Sequence, residues 1–180
     1  MPIVTALETS AGPADAVVAS TAEFSHPAEI RPPTLVTASA TPPLLPILVA
    51  DDDADDRFFI QRFIKKTGAK NPVKTFDDGS EVVNYLTGRA RLASSAVKHH
   101  DPLLLFLDLN MKGLGGFGFL EWARQQRELT PLTIVILSNS SEPADMARAL
   151  ELGAHRYLVK YPSVQTFATL VASVYPQTVF

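Results

Sequence analysis

The chain has 180 residues, a formal net charge of −3 and no cysteine. That length suits one domain, or one domain with an appendage, and the missing cysteines exclude a disulfide framework, a thiolate metal site and a cysteine nucleophile. The longest apolar run, Leu44 to Ala50, is broken by Pro46 and too short to span a membrane, and the near-neutral charge argues against a nucleic-acid-binding surface.

Residues 1–44 are rich in Ala, Pro, Ser and Thr, with prolines at 2, 13, 27, 32, 33, 42 and 43. Prolines at that density interrupt any regular hydrogen-bond ladder, so the segment reads as a disordered or loosely extended arm. Its first basic residue is Arg31, and Glu8, Asp15, Glu23 and Glu29 make it acidic. That composition suits neither a secretory leader nor an Arg-rich organelle-targeting segment, so a cytoplasmic location is expected. The arm carries the whole −3, because residues 45–180 balance 15 acids against 15 bases.

From Leu45 the pattern changes. Pro46 to Ala50 is a wholly apolar run, as expected of a strand buried on both faces. Asp55 to Thr67 predicts a helix with Phe59, Ile60, Phe63 and Ile64 on one face, stopped at Gly68, and Asp53 or Asp55 suits its cap. Val73 to Phe76 is a second strand, Asp78-Gly79 a turn, and Glu81 to Leu86 a helix of about two turns. Residues 88–102 read as a long polar loop. Leu103 to Leu107 is the most apolar strand, and Gly118 to Glu128 a helix offering Phe119, Leu120, Trp122 and Ala123 for burial. Thr133 to Leu137 is the fourth strand. Ser141 to Leu152 is a helix with Pro143 in its first turn and Gly153 beyond its end. Arg156 to Val159 is the fifth strand, and Ser163 to Val174 the last helix, apolar at Val164, Phe167, Ala168, Val171 and Val174.

Strands alternating with helices call for an α/β fold, a parallel sheet with right-handed crossovers and helices on both faces. Ligands then bind outside the carboxyl ends of the strands. Those ends are unusually polar. The first strand runs into Asp51-Asp52-Asp53, the third into Asp108, the fourth into Ser138 and the fifth into Lys160. Carboxylates brought together repel, and a divalent cation relieves them; an all-oxygen site with room for water suits Mg²⁺. A carboxylate can also be the nucleophile of phosphoryl transfer, with the Lys160 ammonium and the Ser138 hydroxyl meeting phosphoryl oxygens.

The runs Ile47-Leu-Val-Ala-Asp-Asp-Asp53, Leu105-Phe-Leu-Asp-Leu-Asn110, Ile136-Leu-Ser138 and Tyr157-Leu-Val-Lys160 resemble the receiver domain of two-component response regulators. The likeness covers residues 45 to about 174, and the Asp-Leu-Asn signature with the 88–102 loop is most similar to single-domain regulators associated with phytochromes. It implies a flavodoxin-like, doubly wound five-stranded sheet in the order 2-1-3-4-5. It implies that Asp108 is the phosphoacceptor, that Asp51, Asp52, Asp108 and the backbone carbonyl of Asn110 hold Mg²⁺, that Ser138 and Lys160 sense the phosphoryl group, and that Tyr157 is an aromatic switch. The implied partner is a sensor histidine kinase, of the phytochrome type, or a phosphotransfer protein, with a downstream protein target, no direct nucleic-acid contact and no membrane. The chain is then a signalling phosphoacceptor and not an enzyme.

Three positions depart from the family pattern. Lys112 stands where the family usually has Pro, Asn139 where the residue is usually small, and Tyr161 separates Lys160 from Pro162, so the family's cis bond before Pro is not to be assumed. Asn139 is expected to narrow the approach of hydrolytic water. The chain ends six residues after Val174, which leaves no room for an output domain; output by protein contact or phosphate relay is the expectation. The apolar tail Tyr175, Val179 and Phe180 is expected to extend a homodimer interface.

Rival readings fare worse. Gly113-Leu-Gly-Gly-Phe-Gly118 matches G-x-G-x-x-G, but Asp108 to Lys112 separate it from the strand and the next strand ends in Ser138-Asn139-Ser140 where an acid is wanted. The glycines read instead as a movable loop. A haloacid-dehalogenase-like phosphohydrolase needs an acid two residues after the nucleophile, where this chain has Asn110. A degenerate receiver acting as a binding module has no need of Asp52, Asp108, Ser138 and Lys160 together. Trp122 reads as core, and the scattered His26, His99, His100 and His155 as surface or linker.

Overall fold

A computed structural model describes residues 44–93, 102–126 and 131–176. The arm expected over 1–44 lies outside the described residues, save Leu44.

The four-residue run Ile47–Ala50 forms β1, buried throughout. The other strands are β2 (Val73–Phe76), β3 (Leu103–Leu107), β4 (Leu132–Ser138) and β5 (Arg156–Val159). All pair in parallel, in the order β2-β1-β3-β4-β5. Alternation decides which face each side chain serves. Ile47, Val49, Leu104, Phe106, Val135 and Leu137 point one way, onto Ile60 and Ile64 of α1 (Ala54–Lys66) and Phe167, Leu170, Val171 and Val174 of α5 (Val164–Val174). Leu48, Ala50, Leu105, Leu107 and Ile136 point the other way, onto α2 (Gly79–Ala93), α3 (Gly116–Arg124) and α4 (Pro143–Glu151) through Val82, Leu86, Phe119, Leu120 and Ala149. Burying one such Leu or Phe side chain contributes about 1.5–3 kcal/mol, so the two cores carry most of the stability.

The expected strands agree with the structure within a residue: β1 starts at Ile47 and not Pro46, and β4 is one residue longer at each end. The helices differ more. α2 runs from Gly79 to Ala93, far beyond the expected two turns, so residues 88–93 are helical and not loop. A lone glycine costs a helix about 1 kcal/mol, and Gly88 does not stop this one, whose Val82 and Leu86 are buried ahead of it. The rest of the expected loop, 94–101, lies outside the described residues. α3 begins two residues earlier than expected, at Gly116, and ends at Arg124 with its cap at Gln125, short of the expected end at Glu128. On α1 the inward face is Ile60 and Ile64; Phe59 stays 45% exposed and Phe58 56%. Trp122 is half-buried against Phe119, ring centroids 5.6 Å apart. Leu170 joins the α5 core in place of Val164, which is only half-buried.

Tyr175 is not part of an outward tail. It is buried, at 5% exposure. Its hydroxyl donates to the Pro46 carbonyl at 3.1 Å and accepts the Leu104 N–H at 3.0 Å, tying the end of α5 to β1 and β3. Buried phenols seek such partners, which explains why this Tyr turns inward. Val179 and Phe180 lie outside the described residues.

Candidate functional site

Strand register brings the polar residues together. Ala50 pairs with Phe76 and with Leu107, and Ser138 with Val159. The residues after these pairs leave the sheet on one edge: Asp51, Asp108 and Lys160. Backbone bonds extend the ladder by one step there, Asp108 N–H to the Ala50 carbonyl at 2.8 Å and Lys160 N–H to the Ser138 carbonyl at 2.9 Å.

Asp51, Asp52 and Asp108 each present a carboxylate oxygen within 4.8 Å of the others. Asp51 and Asp108 are buried and Asp52 is half-buried. Each carboxylate is held by backbone. Asp51 Oδ1 accepts the Asp53 N–H at 3.0 Å, Asp108 Oδ2 the Asn110 N–H at 2.7 Å, and Asp52 Oδ2 the Lys112 N–H at 3.2 Å. The last bond needs an N–H at position 112, which proline lacks, so the departure from the family's Pro gives Asp52 a donor. The Lys112 side chain is exposed. Asn110 is exposed too, and its backbone is what lies beside Asp108. Asp53 caps α1 through the N–H groups of Asp55 and Asp56, which leaves Asp51 and Asp52 outside the helix and turned to the sheet edge.

The Lys160 ammonium, its side chain 2% exposed, lies 2.7 Å from Asp51 Oδ2, 3.0 Å from Asp108 Oδ1 and 2.6 Å from Asp56 Oδ2. Asp56 is a site residue that sequence reasoning missed. Its only signal is position: it stands in the first turn of α1 within the acidic run, one helical turn from its cap. Tyr161 was missed as well. Its hydroxyl donates to the other oxygen of Asp56. The Lys160–Tyr161 peptide is cis.

Burial pushes the Asp51 carboxyl above the ordinary carboxylate value, a rise that Lys160 and the Asp53 N–H oppose and Asp108 reinforces. Partial burial pushes Asp56 upward too, but hydrogen bonds from Lys160 and Tyr161 outweigh it and hold Asp56 low. Burial would lower Lys160; Asp51, Asp56 and Asp108 overcome it and raise the ammonium above its usual value. Beyond its ion pair with Lys160, Asp51 Oδ2 has no hydrogen-bond partner among the described residues. A buried carboxylate oxygen in that state, beside two more carboxylates and with one ammonium among them, matches the all-oxygen donor set of Mg²⁺.

Ser138 is fully buried at the end of β4, and its hydroxyl accepts the Ser140 N–H at 3.2 Å. Tyr157, half-buried on β5, donates to the Ser140 carbonyl at 2.9 Å. The two meet at Ser140, whose own hydroxyl donates to Asp145 of α4 at 2.7 Å. The loop after β4 is thus fastened to β5 and α4 at one residue that the sequence did not single out. Asn139 is exposed beside it.

The glycines after Asp108 have a packing reason. Gly113 is left-handed (φ +66°), and a Cβ there would meet the Asp78 carboxylate. A Cβ on Gly116 would meet the backbone carbonyl of Asp108. Asp78 Oδ1 also accepts the Leu114 N–H at 3.3 Å and the Ser80 N–H at 2.7 Å. The loop is pressed against α2 and the Asp108 backbone, which is what these glycines serve in place of a phosphate cradle.

Comparison with known proteins agrees with this geometry. The family model described as "Response regulator receiver domain" matches residues 47–172. The chain is 29% identical over 122 residues to the two-component response regulator ARR8 of Arabidopsis thaliana, covering 63% of this chain and 53% of that one. To ARR5 of the same plant it is 30% identical over 123 residues, covering 67% and 65%. The chain spans about half to two-thirds of the length of these curated relatives. Among solved structures, a receiver domain from Rhodospirillum rubrum matches with a TM-score of 0.58 at 25% identity, over 72% of this chain and 89% of that one. The bacteriophytochrome response regulator RtBRR matches with a TM-score of 0.58 at 25% identity, over 73% and 78%. With the strand order, the carboxylate cluster and the buried lysine already in place, the family match over residues 47–172 leads to one conclusion: the chain belongs to the response regulator receiver domain family.

Proposed function

We propose that this chain is a phosphoacceptor of a two-component phosphorelay, phosphorylated on Asp108. The observation that supports it best is the Lys160 ammonium at 3.0 Å from Asp108 Oδ1, at the sheet edge where Asp51 and Asp52 gather. A histidine kinase or phosphotransfer protein supplies the phosphoryl group. A carboxylate oxygen of Asp108 forms the new bond to phosphorus, the bond from phosphorus to the donor imidazole breaks, and its electron pair stays with the ring nitrogen.

Asp51, Asp52 and Asp108 would hold Mg²⁺, with the Asn110 carbonyl beside them. Bound there, the ion neutralises charge on the transferring oxygens. The chain's own groups do the rest. Lys160 donates to a phosphoryl oxygen, and backbone N–H groups of Asp53, Asn110 and Lys112 keep the carboxylates oriented. Ser138 gives its hydroxyl to the phosphoryl group, which pulls on Ser140 and so on Tyr157 and Asp145. That is a local electrostatic event with a readout on the face of α4 and β5. The chain then signals by protein contact in the cytoplasm, as a switch and not an enzyme. The likeness to a bacteriophytochrome response regulator supports a phytochrome-type sensor kinase as its donor.

The test is labelling with radioactive acetyl phosphate in the presence of Mg²⁺. The wild type is expected to take up label that is acid-stable and lost in alkali, and Asp108→Ala to take up none. An unlabelled wild type, or equal labelling of the variant, overturns the proposal.

A further inference from the structure

Resting on that reading, we propose that Asp56 is a positioning residue which competes with the phosphoryl group on Asp108 for the Lys160 ammonium, and that the Tyr161 hydroxyl weakens this competitor.

An ammonium has three N–H donors and no acceptor. Three carboxylate oxygens surround Nζ of Lys160: Asp56 Oδ2 at 2.6 Å, Asp51 Oδ2 at 2.7 Å and Asp108 Oδ1 at 3.0 Å. Three carboxylates therefore share one ammonium, and the longest of the three contacts is the one to Asp108. Asp51 and Asp108 belong to the carboxylate cluster that suits a cation, whereas Asp56 stands apart from it, on α1. Its Oδ2 takes a share of Lys160.

That share is costly to the phosphorylated state. A phosphoryl group adds oxygens that need charge-assisted donors, and Lys160 is the buried cation beside them. Whatever hydrogen-bond strength Asp56 keeps is withheld from the phosphoryl oxygen, and its negative charge opposes the incoming anion. Tyr161 acts on this balance. It follows Lys160 in the chain, and its hydroxyl donates to the oxygen of Asp56 that Lys160 does not use. A carboxylate already accepting from a phenol is a weaker acceptor towards the ammonium. The Tyr161 ring is held over α1 by Phe59 and Phe63, with centroids 6.0 and 6.1 Å away.

The competition gives the two residues opposite signs. Asp56→Asn keeps an acceptor oxygen for Lys160 but removes the charge, so the phosphoryl site should bind its anion more tightly. Tyr161→Phe keeps the ring but removes the donor, so Asp56 should hold Lys160 harder and the anion should bind more weakly. Loss of packing or fold would weaken binding in both.

The probe is beryllofluoride with Mg²⁺, a phosphoryl analogue that needs no kinase, titrated into the full chain and followed by ¹⁹F NMR. Asp56→Asn is expected to tighten binding about fivefold and Tyr161→Phe to weaken it about twofold, in keeping with one charge-assisted bond strengthened or lost. In the double variant the Tyr161 effect should vanish, because its target charge is gone. Shifts of the same sign, no shift in Asp56→Asn, or an undiminished Tyr161 effect in the double variant overturn the inference alone. A wild type that binds no beryllofluoride, or an Asp108→Ala chain that binds it equally, overturns the phosphoacceptor reading and the inference with it.

Discussion

Replacing Lys160 by Met removes the cation and keeps most of the side-chain volume. Three carboxylates lose a partner at 2.6–3.0 Å, two of them buried. At such distances and an effective dielectric of about 20, each contact is worth about 5–6 kcal/mol of attraction. Desolvating the ammonium and the carboxylates offsets most of it, and breaking a buried pair by removing one partner typically costs about 3–5 kcal/mol. The urea midpoint of Lys160→Met should therefore fall by about 2 M at neutral pH, taking a slope of about 2 kcal/mol per M. The sign with pH follows from linkage. Lys160 in the wild type is raised above its ordinary 10.5, so its contribution is full throughout the neutral range. Asp56 is held low, so its contribution is present above about pH 4 and lost as pH falls through its folded value. In the variant Asp51 loses the ammonium that opposes its burial, so its carboxyl rises further and costs the fold stability as pH rises. The deficit against wild type should therefore narrow from pH 7.5 to pH 5. Urea unfolding of both chains at the two pH values measures it. A deficit as large at pH 5 as at pH 7.5, or a midpoint unchanged at pH 7.5, would refute the electrostatic argument.

The remaining expectations concern the frame around the site. Tyr175→Phe removes the hydroxyl between Pro46 and Leu104 and should cost about 1 kcal/mol at pH 8. Burial pushes the Tyr175 phenol up to about 12, so the wild type should lose stability between about pH 10 and 12 while Tyr175→Phe loses less; parallel stability curves across that window would contradict the inward placement. Gly116→Ala sets a Cβ against the Asp108 backbone carbonyl, an atom that cannot swing away, and should cost about 2–3 kcal/mol; a variant with an unchanged melting midpoint and unchanged beryllofluoride affinity would dismiss that close approach. Asn139→Ala should shorten the lifetime of the aspartyl phosphate by opening the approach for water, and equal decay rates in a single-turnover chase would end that idea.

The sequence determined the sheet. Apolar runs of four and five residues, too short for helices and bounded by turn residues, placed β1 and β3, because a strand buried on both faces leaves no other pattern. The polar residues at their ends were legible for the same reason: Asp108 after five apolar residues has no use as a solvated surface charge. Helix ends were less legible. Ala, Leu and Arg are good helix formers and continue α2 past a Gly88 that local preference would treat as a break, a glycine penalty of about 1 kcal/mol that does not end the helix.

Tertiary structure alone decided which acids share Lys160. Five acids crowd Asp51 to Asp56 in the sequence, and nothing in their spacing separates a metal ligand from a cap or an ion-pair partner. The fold sorts them by the surface each meets: Asp53 meets the free N–H groups of α1, Asp51 and Asp52 meet the sheet edge, and Asp56 meets a lysine 104 residues away in the chain. Tyr175 shows the same division. Read along the chain it begins an apolar tail; in the fold its hydroxyl meets the Pro46 carbonyl and the Leu104 N–H at the amino end of the sheet. Periodicity and strand ends are local properties and survive in a linear text, whereas a contact between α1 and the end of β5 exists only once the sheet has brought them together.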